Sequence, residues 1–94
     1  MTQYLTRVEL HNEQPGDYTT LHSEMESRGF TRRILLGGVW YHLPNATYLS
    51  YSDGDQPFVY QLAFAAVKVV GRSAGIVIVP TIDNGIFGGG LKVV

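Results

Sequence analysis

Two segments with helical spacing are set among segments with strand spacing, and their order leaves few folds open to the chain. Residues Tyr4 to Leu10 alternate. Tyr4, Thr6, Val8 and Leu10 point one way and Leu5, Arg7, Glu9 and His11 the other, the two-residue period of a half-exposed strand. Pro15-Gly16-Asp17 then interrupts the chain, with Asp17 placed to cap a helix. Tyr18, Leu21 and Met25 recur at helical spacing, Glu24 and Arg28 form an i,i+4 pair with the acid first, and Gly29 followed by Phe30 reads as a left-handed helix end. The spacing predicts a helix from Asp17 to Arg28. Phe30 to Leu36, Val39 to Leu43 and Ala46 to Tyr51 predict a hairpin around Gly37-Gly38. Its return strand bulges or bends at Pro44-Asn45, because proline donates nothing to a ladder. Asp53 or Asp55 caps a second helix, Phe58 to Val70, with Pro57 in its first turn and Gly71 closing it. Ala74 to Pro80 contains Ile-Val-Ile-Val with no polar alternation and predicts a strand buried on both faces.

The order βαββαβ predicts an α+β, ferredoxin-like domain over residues 1–80: an antiparallel four-stranded sheet with two helices on one face. Residues 81–94 form an extra, glycine-rich C-terminal segment. It carries a type I′ hairpin signal at Asp83-Asn84-Gly85, and Gly88-Gly89-Gly90 reads as a flexible linker. This tail has three readings: it pairs with its own sheet, exchanges onto a neighbour's edge, or stays disordered. At 94 residues the chain is one domain with one core. Hydrophobic residues make up 45% and charged residues 16%, below the roughly 25% of an ordinary domain, so apolar surface is left over for a partner chain. The open sheet face and the wide apolar arc of the second helix point to a homodimer.

Cysteine is absent, which excludes disulfides, thiol nucleophiles and cysteine-ligated metals. No signal peptide or membrane span is visible, and a cytoplasmic protein is expected. With seven Lys+Arg against eight Asp+Glu, any binding of nucleic acid must rest on a local patch. His11, His22 and His42 stand on three different elements without metal-pair spacing. Asp53 and Asp55 lack the downstream glutamate of a calcium loop, so neither metal nor cofactor is expected. There is no G-x-S-x-G and no S-x-x-K, which speaks against serine hydrolase chemistry.

Arg7, Glu9 and His11 share one side of the first strand. A histidine there can take the proton of a ribose 2′-hydroxyl, and an arginine can steady the charge growing on the phosphate, with no metal. Solvated strand residues, or partners across a dimer seam, are the plainer account of the same three. Arg28, Arg32 and Arg33 make the best anion patch. With Tyr41 and Tyr48 close by, they suit single-stranded RNA, held by charge and stacking. Ordinary surface charge, with Arg28 paired to Glu24, competes with that account, as does an aromatic core for Trp40, Tyr41, Tyr48 and Tyr51.

Four stretches carry a resemblance: residues 4–11 (YLTRVELH), 17–22 (DYTTLH), 25–30 (MESRGF) and 41–48 (YHLPNATY). Together they resemble the GhoS-like family of small bacterial and phage proteins, over roughly residues 4–80. The resemblance implies a fold similar to the CRISPR-associated Cas2 proteins, a dimer, and the role of a type V antitoxin that cleaves single-stranded RNA. Metal-dependent nucleases of that fold carry an aspartate at the end of the first strand. This chain has Leu10-His11-Asn12 there, which points away from a metal mechanism. The alternative is a non-catalytic, dimeric interaction protein of phage or plasmid origin that binds a protein partner through its sheet or tail.

Overall fold

The computed structural model describes residues 1–82 and 85–94, so the hairpin signal at Asp83-Asn84 lies outside the described residues. The fold is α+β. In chain order it runs β1 (Thr2–Leu10), α1 (Asp17–Glu26), β2 (Arg33–Leu36), β3 (Val39–His42), β4 (Thr47–Ser52), α2 (Gln56–Val70) and β5 (Ala74–Pro80). β1 is the central strand of an antiparallel sheet ordered β4-β1-β5, with Thr6 opposite both Tyr48 and Ile78.

The expected four-stranded sheet is not formed. β2 and β3 make a separate two-stranded ribbon, with Arg33 opposite His42 and Leu35 opposite Trp40. Among the described residues, the one backbone bridge from this region to the main sheet is made by Thr31, just before β2, to Leu49. The expected bend at Pro44 is a full break. Thr47 N–H closes a turn onto Pro44 C=O at 3.1 Å, and Ala46 takes the left-handed value φ 60°. The chain thus leaves the ribbon at His42 and enters the sheet at Thr47. The tail pairs in cis: Tyr41 bridges Val93, His42 N–H reaches Lys92 C=O at 2.8 Å, and Val94 N–H reaches Trp40 C=O at 3.0 Å.

Two cores follow from this arrangement. Tyr4, Val8 and Leu10 of β1 face α1 and α2, where they meet Leu21, Met25, Phe30, Tyr48, Val59, Ala63 and Val67. On the opposite face of the sheet, Leu5 and Leu49 are covered by Ile34, Leu36, Tyr41 and Leu43 of the ribbon region and by Leu91 of the tail. β5 is an edge strand with Val77 57% exposed, contrary to the expected burial on both faces. The ribbon covers the β4 side of that face and does not reach across to β5. An apolar run identifies a strand and not what will cover it.

Both helices end as their residues dictate. Gly29 at φ 91° lets Phe30 N–H return to Met25 C=O at 3.1 Å, a left-handed closure that carries Phe30 into the core. α2 is capped by Asp55, whose carboxylate accepts from Phe58 N–H at 3.0 Å. Replacing Asp55 by alanine is expected to cost about 1 kcal/mol. A thermal melt should show this as a fall of roughly 4–8 °C. Asp17 is not the cap of α1: Gly16 holds that position. Asp17 instead accepts from Gln14 N–H at 2.7 Å and from Arg72 Nε at 2.8 Å, tying the start of α1 to the second residue beyond α2. The Gln14 N–H, then Arg72, hold its carboxyl below the usual range.

Candidate functional site

β1 carries the expected line of side chains on the face turned away from the helices. Arg7 and Glu9 are exposed, and among the described residues neither has a salt-bridge partner. His11 follows the end of β1. Its N–H reaches Ser73 C=O at 2.8 Å, and its Nδ1 lies 3.3 Å from Ser73 Oγ. The imidazole lies toward Gly75, with Nε2 4.0 Å from where a Cβ on that residue would stand. Gly75 is also the cross-strand partner of Glu9. Successive members of the line are therefore about 7 Å apart along the strand, over a floor that a glycine leaves low.

The three arginines do not form one patch. Arg28 turns back onto its own helix, with Nη1 2.9 Å from Glu24 C=O and 2.8 Å from Glu24 Oε1. Arg32 is half-buried, and its charge acts on His22 and Tyr48. Arg33 is exposed on the ribbon. Tyr41 is half-buried against the second core. Tyr48 has no exposed surface, so its ring offers no face to a base.

The environment of Tyr48 explains its burial. Its hydroxyl lies 2.7 Å from His22 Nδ1, and its ring stands edge-on to Phe30 at 6.3 Å. Burial pushes the phenol up to about 12, so it stays protonated where it shares a hydrogen bond with His22. His22 is held below the ordinary histidine range by burial and by the Arg32 guanidinium, against the opposite pull of Asn45 and Glu26. A lowered histidine leaves the unfolded chain holding more protons just below pH 6.5. Stability is therefore expected to be full above about pH 6.5 and to fall as the pH drops toward the folded value. Urea midpoints between about pH 4.5 and 8 should show this slope, and His22→Gln should remove it.

A groove of about 660 Å³ opens at the other end of β1, lined by Gln3, Ile34, Leu36, Tyr51, Thr81 and neighbouring residues. Its described lining holds no acid and no histidine. No described helix is long and apolar enough to cross a membrane, and the described residues hold no group of three His, Asp or Glu side chains able to bind a metal.

Three side chains outside the expected set share a face with Arg33. Trp40 and His42 are exposed and two residues apart on β3, and Lys92 stands opposite His42. The same alternation that exposed Arg7 and Glu9 in the sequence places Trp40 and His42 together. The position of Lys92 needed the pairing of the tail. Compared with known proteins, the chain matches no family model, no curated protein and no solved structure.

Proposed function

We propose that the protein is a GhoS-like antitoxin that cleaves single-stranded RNA, with Arg7, Glu9 and His11 as its working face. One observation carries this reading: β1 sets the three in a solvent-exposed line above Gly75, where an extended strand can reach them. His11 takes the proton of a 2′-hydroxyl, and the oxygen attacks the adjacent phosphorus. The 5′-oxygen leaves with a proton from water, giving a 2′,3′-cyclic phosphate and a 5′-hydroxyl. Arg7 steadies the phosphorane charge, and Glu9 stands between them on the same face. The order β5-β1-β4, with Thr31 bridged to Leu49 beyond it, supports a ferredoxin-like origin in which the pairing of the fourth strand is reduced to one bridge. The test is incubation of purified protein with a varied pool of end-labelled single-stranded RNAs, with magnesium and with chelator. Cleavage that persists in chelator is expected. Cleavage that needs magnesium would move the chemistry to carboxylates outside this line.

A second observation favours the reading as a dimeric interaction protein. α2 exposes Phe58 (52%) and Val69 (55%) on one flank and the stacked Tyr60 and Phe64 rings, 6.0 Å apart, on the other. Among the described residues, β5 beside it pairs only with β1. A second copy covering α2 and the free edge of β5 would bury both. Sedimentation equilibrium is expected to give twice the chain mass, and the double change Phe58→Glu, Val69→Glu is expected to give the monomer mass. A monomer for the unchanged protein would remove this reading.

A further inference from the structure

The charge of this chain is divided by region. Residues 27–52 and 85–94 contain no aspartate or glutamate, yet they hold four of the seven Lys+Arg: Arg28, Arg32, Arg33 and Lys92. Arg28 is taken up by Glu24. The ribbon and the tail that bridges to it at Tyr41–Val93 are built from these two acid-free segments. Pairing fixes which side chains share its outer face. Arg33 is opposite His42, and His42 N–H bonds Lys92 C=O, so these three form one cross-strand row. Leu35 is opposite Trp40, and Val94 N–H bonds Trp40 C=O, so Leu35, Trp40 and Val94 form the next row. The members of this apolar row are 51%, 52% and 50% exposed respectively. A hollow of about 580 Å³ opens beside Trp40, with Arg33, Val39, Val93 and Val94 also on its wall.

We infer that the outer face of this ribbon binds a single-stranded polynucleotide, with a base stacked on Trp40 and the backbone phosphates held by Arg33, His42 and Lys92. The inference rests on the RNA reading above and says where the strand is held. An apolar face alone would suit many partners. Here it is flanked by a row that holds two cations, Arg33 and Lys92, with the His42 imidazole between them, within a region that has no acid; this complements a polyanion that also presents flat rings. Arginine suits phosphate through its planar fork, and lysine as a point charge. The chain's net charge of −1 is no obstacle, because the acids lie outside these segments.

Trp40 is the sole tryptophan, so its fluorescence reports this face directly. The experiment titrates the protein with a mixed-sequence single-stranded RNA of about twelve nucleotides, the DNA of the same sequence, and the duplex RNA. The protein is used unchanged and as His11→Ala, which keeps the strand intact. Quenching by single-stranded RNA is expected, with weaker quenching by the duplex, whose bases are already stacked. The DNA arm tells whether the 2′-hydroxyl is read at this face. Trp40→Leu, followed by anisotropy of a labelled strand, should weaken binding about 5- to 150-fold. Arg33→Gln with Lys92→Gln should flatten the dependence of log affinity on log salt by about 1.4, two charges at roughly 0.7 each. Circular dichroism and melting of each variant establish that it is folded. Trp40 fluorescence unmoved by every strand, or unchanged affinity in folded Trp40→Leu, would overturn the inference even if RNA is cleaved. Quenching without cleavage would uphold it while removing the nuclease reading.

Discussion

Replacing Phe30 by alanine is expected to destabilise the protein by roughly 3–5 kcal/mol, the usual cost of emptying a buried phenylalanine site. At about 0.05–0.15 kcal/mol per residue, a domain of this length has some 5–14 kcal/mol to lose, so the variant sits close to unfolding at physiological temperature. Several links depend on this one ring. Gly29, at φ 91°, turns the chain so that Phe30 N–H closes the end of α1 on Met25 C=O. The side chain then enters the helix-side core at 2% exposure, edge-on to the Tyr48 ring. Tyr48 in turn holds His22 at 2.7 Å. The loss therefore opens a cavity between the end of α1 and β4, where the sheet and the first helix are joined. Phe30→Leu keeps most of the volume and should cost about 1.5 kcal/mol or less. Urea unfolding of the pair separates the two: a large shift for alanine and a small one for leucine is expected. Equal shifts would mean that the ring's own contacts, the edge-on packing against Tyr48 among them, matter more than the volume it fills.

Replacing His11 by alanine is expected to lower the RNA cleavage rate by about 10²- to 10⁴-fold, the usual contribution of a positioned acid or base. His11 stands at the exposed end of β1, and its ring contributes nothing to either core, so the variant should melt close to the unchanged protein. Strand binding, read through Trp40, should also be unaffected, since the two groups lie on different elements. Ser73→Ala removes the hydroxyl 3.3 Å from His11 Nδ1 and leaves the imidazole itself in place. Its effect should be much smaller, because the backbone bond from His11 N–H to Ser73 C=O remains.

Most of the elements are legible in the residues. The alternation over Tyr4–Leu10, the cap at Asp55 and the left-handed glycines at 29 and 71 each act locally, and each stands where its residue type demands. The division of the sheet was not legible. Pro44 announces an interruption, but whether the chain bends within one sheet or passes to another depends on what covers Leu5 and Leu49. That cover comes partly from Leu91, more than forty residues further along the chain. The same distant contact explains β4. Thr47, Tyr48, Leu49 and Ser50 are all buried, because a core lies on each face of the strand, and a sequence of mixed polarity gives no sign of two cores. The sequence leaves Tyr48 open between a stacking platform and a core residue, and the structure makes it the centre of a buried contact. Trp40, a core residue by its type, is exposed because the ribbon has only one face to bury. On the candidate site, the β1 line was readable because strand alternation alone fixes it. The row of Arg33, His42 and Lys92 was not, because it exists only once the tail has paired with β3.

The most direct test of the proposed chemistry is the structure of the cleaved ends, with one 2′-deoxynucleotide placed at the mapped scissile position as control. If His11 activates the neighbouring 2′-hydroxyl, the upstream product carries a 2′,3′-cyclic phosphate, the downstream product a 5′-hydroxyl, and the deoxy substitution stops cleavage. A 3′-hydroxyl with a 5′-phosphate, or cleavage undisturbed by the deoxy substitution, would contradict the account.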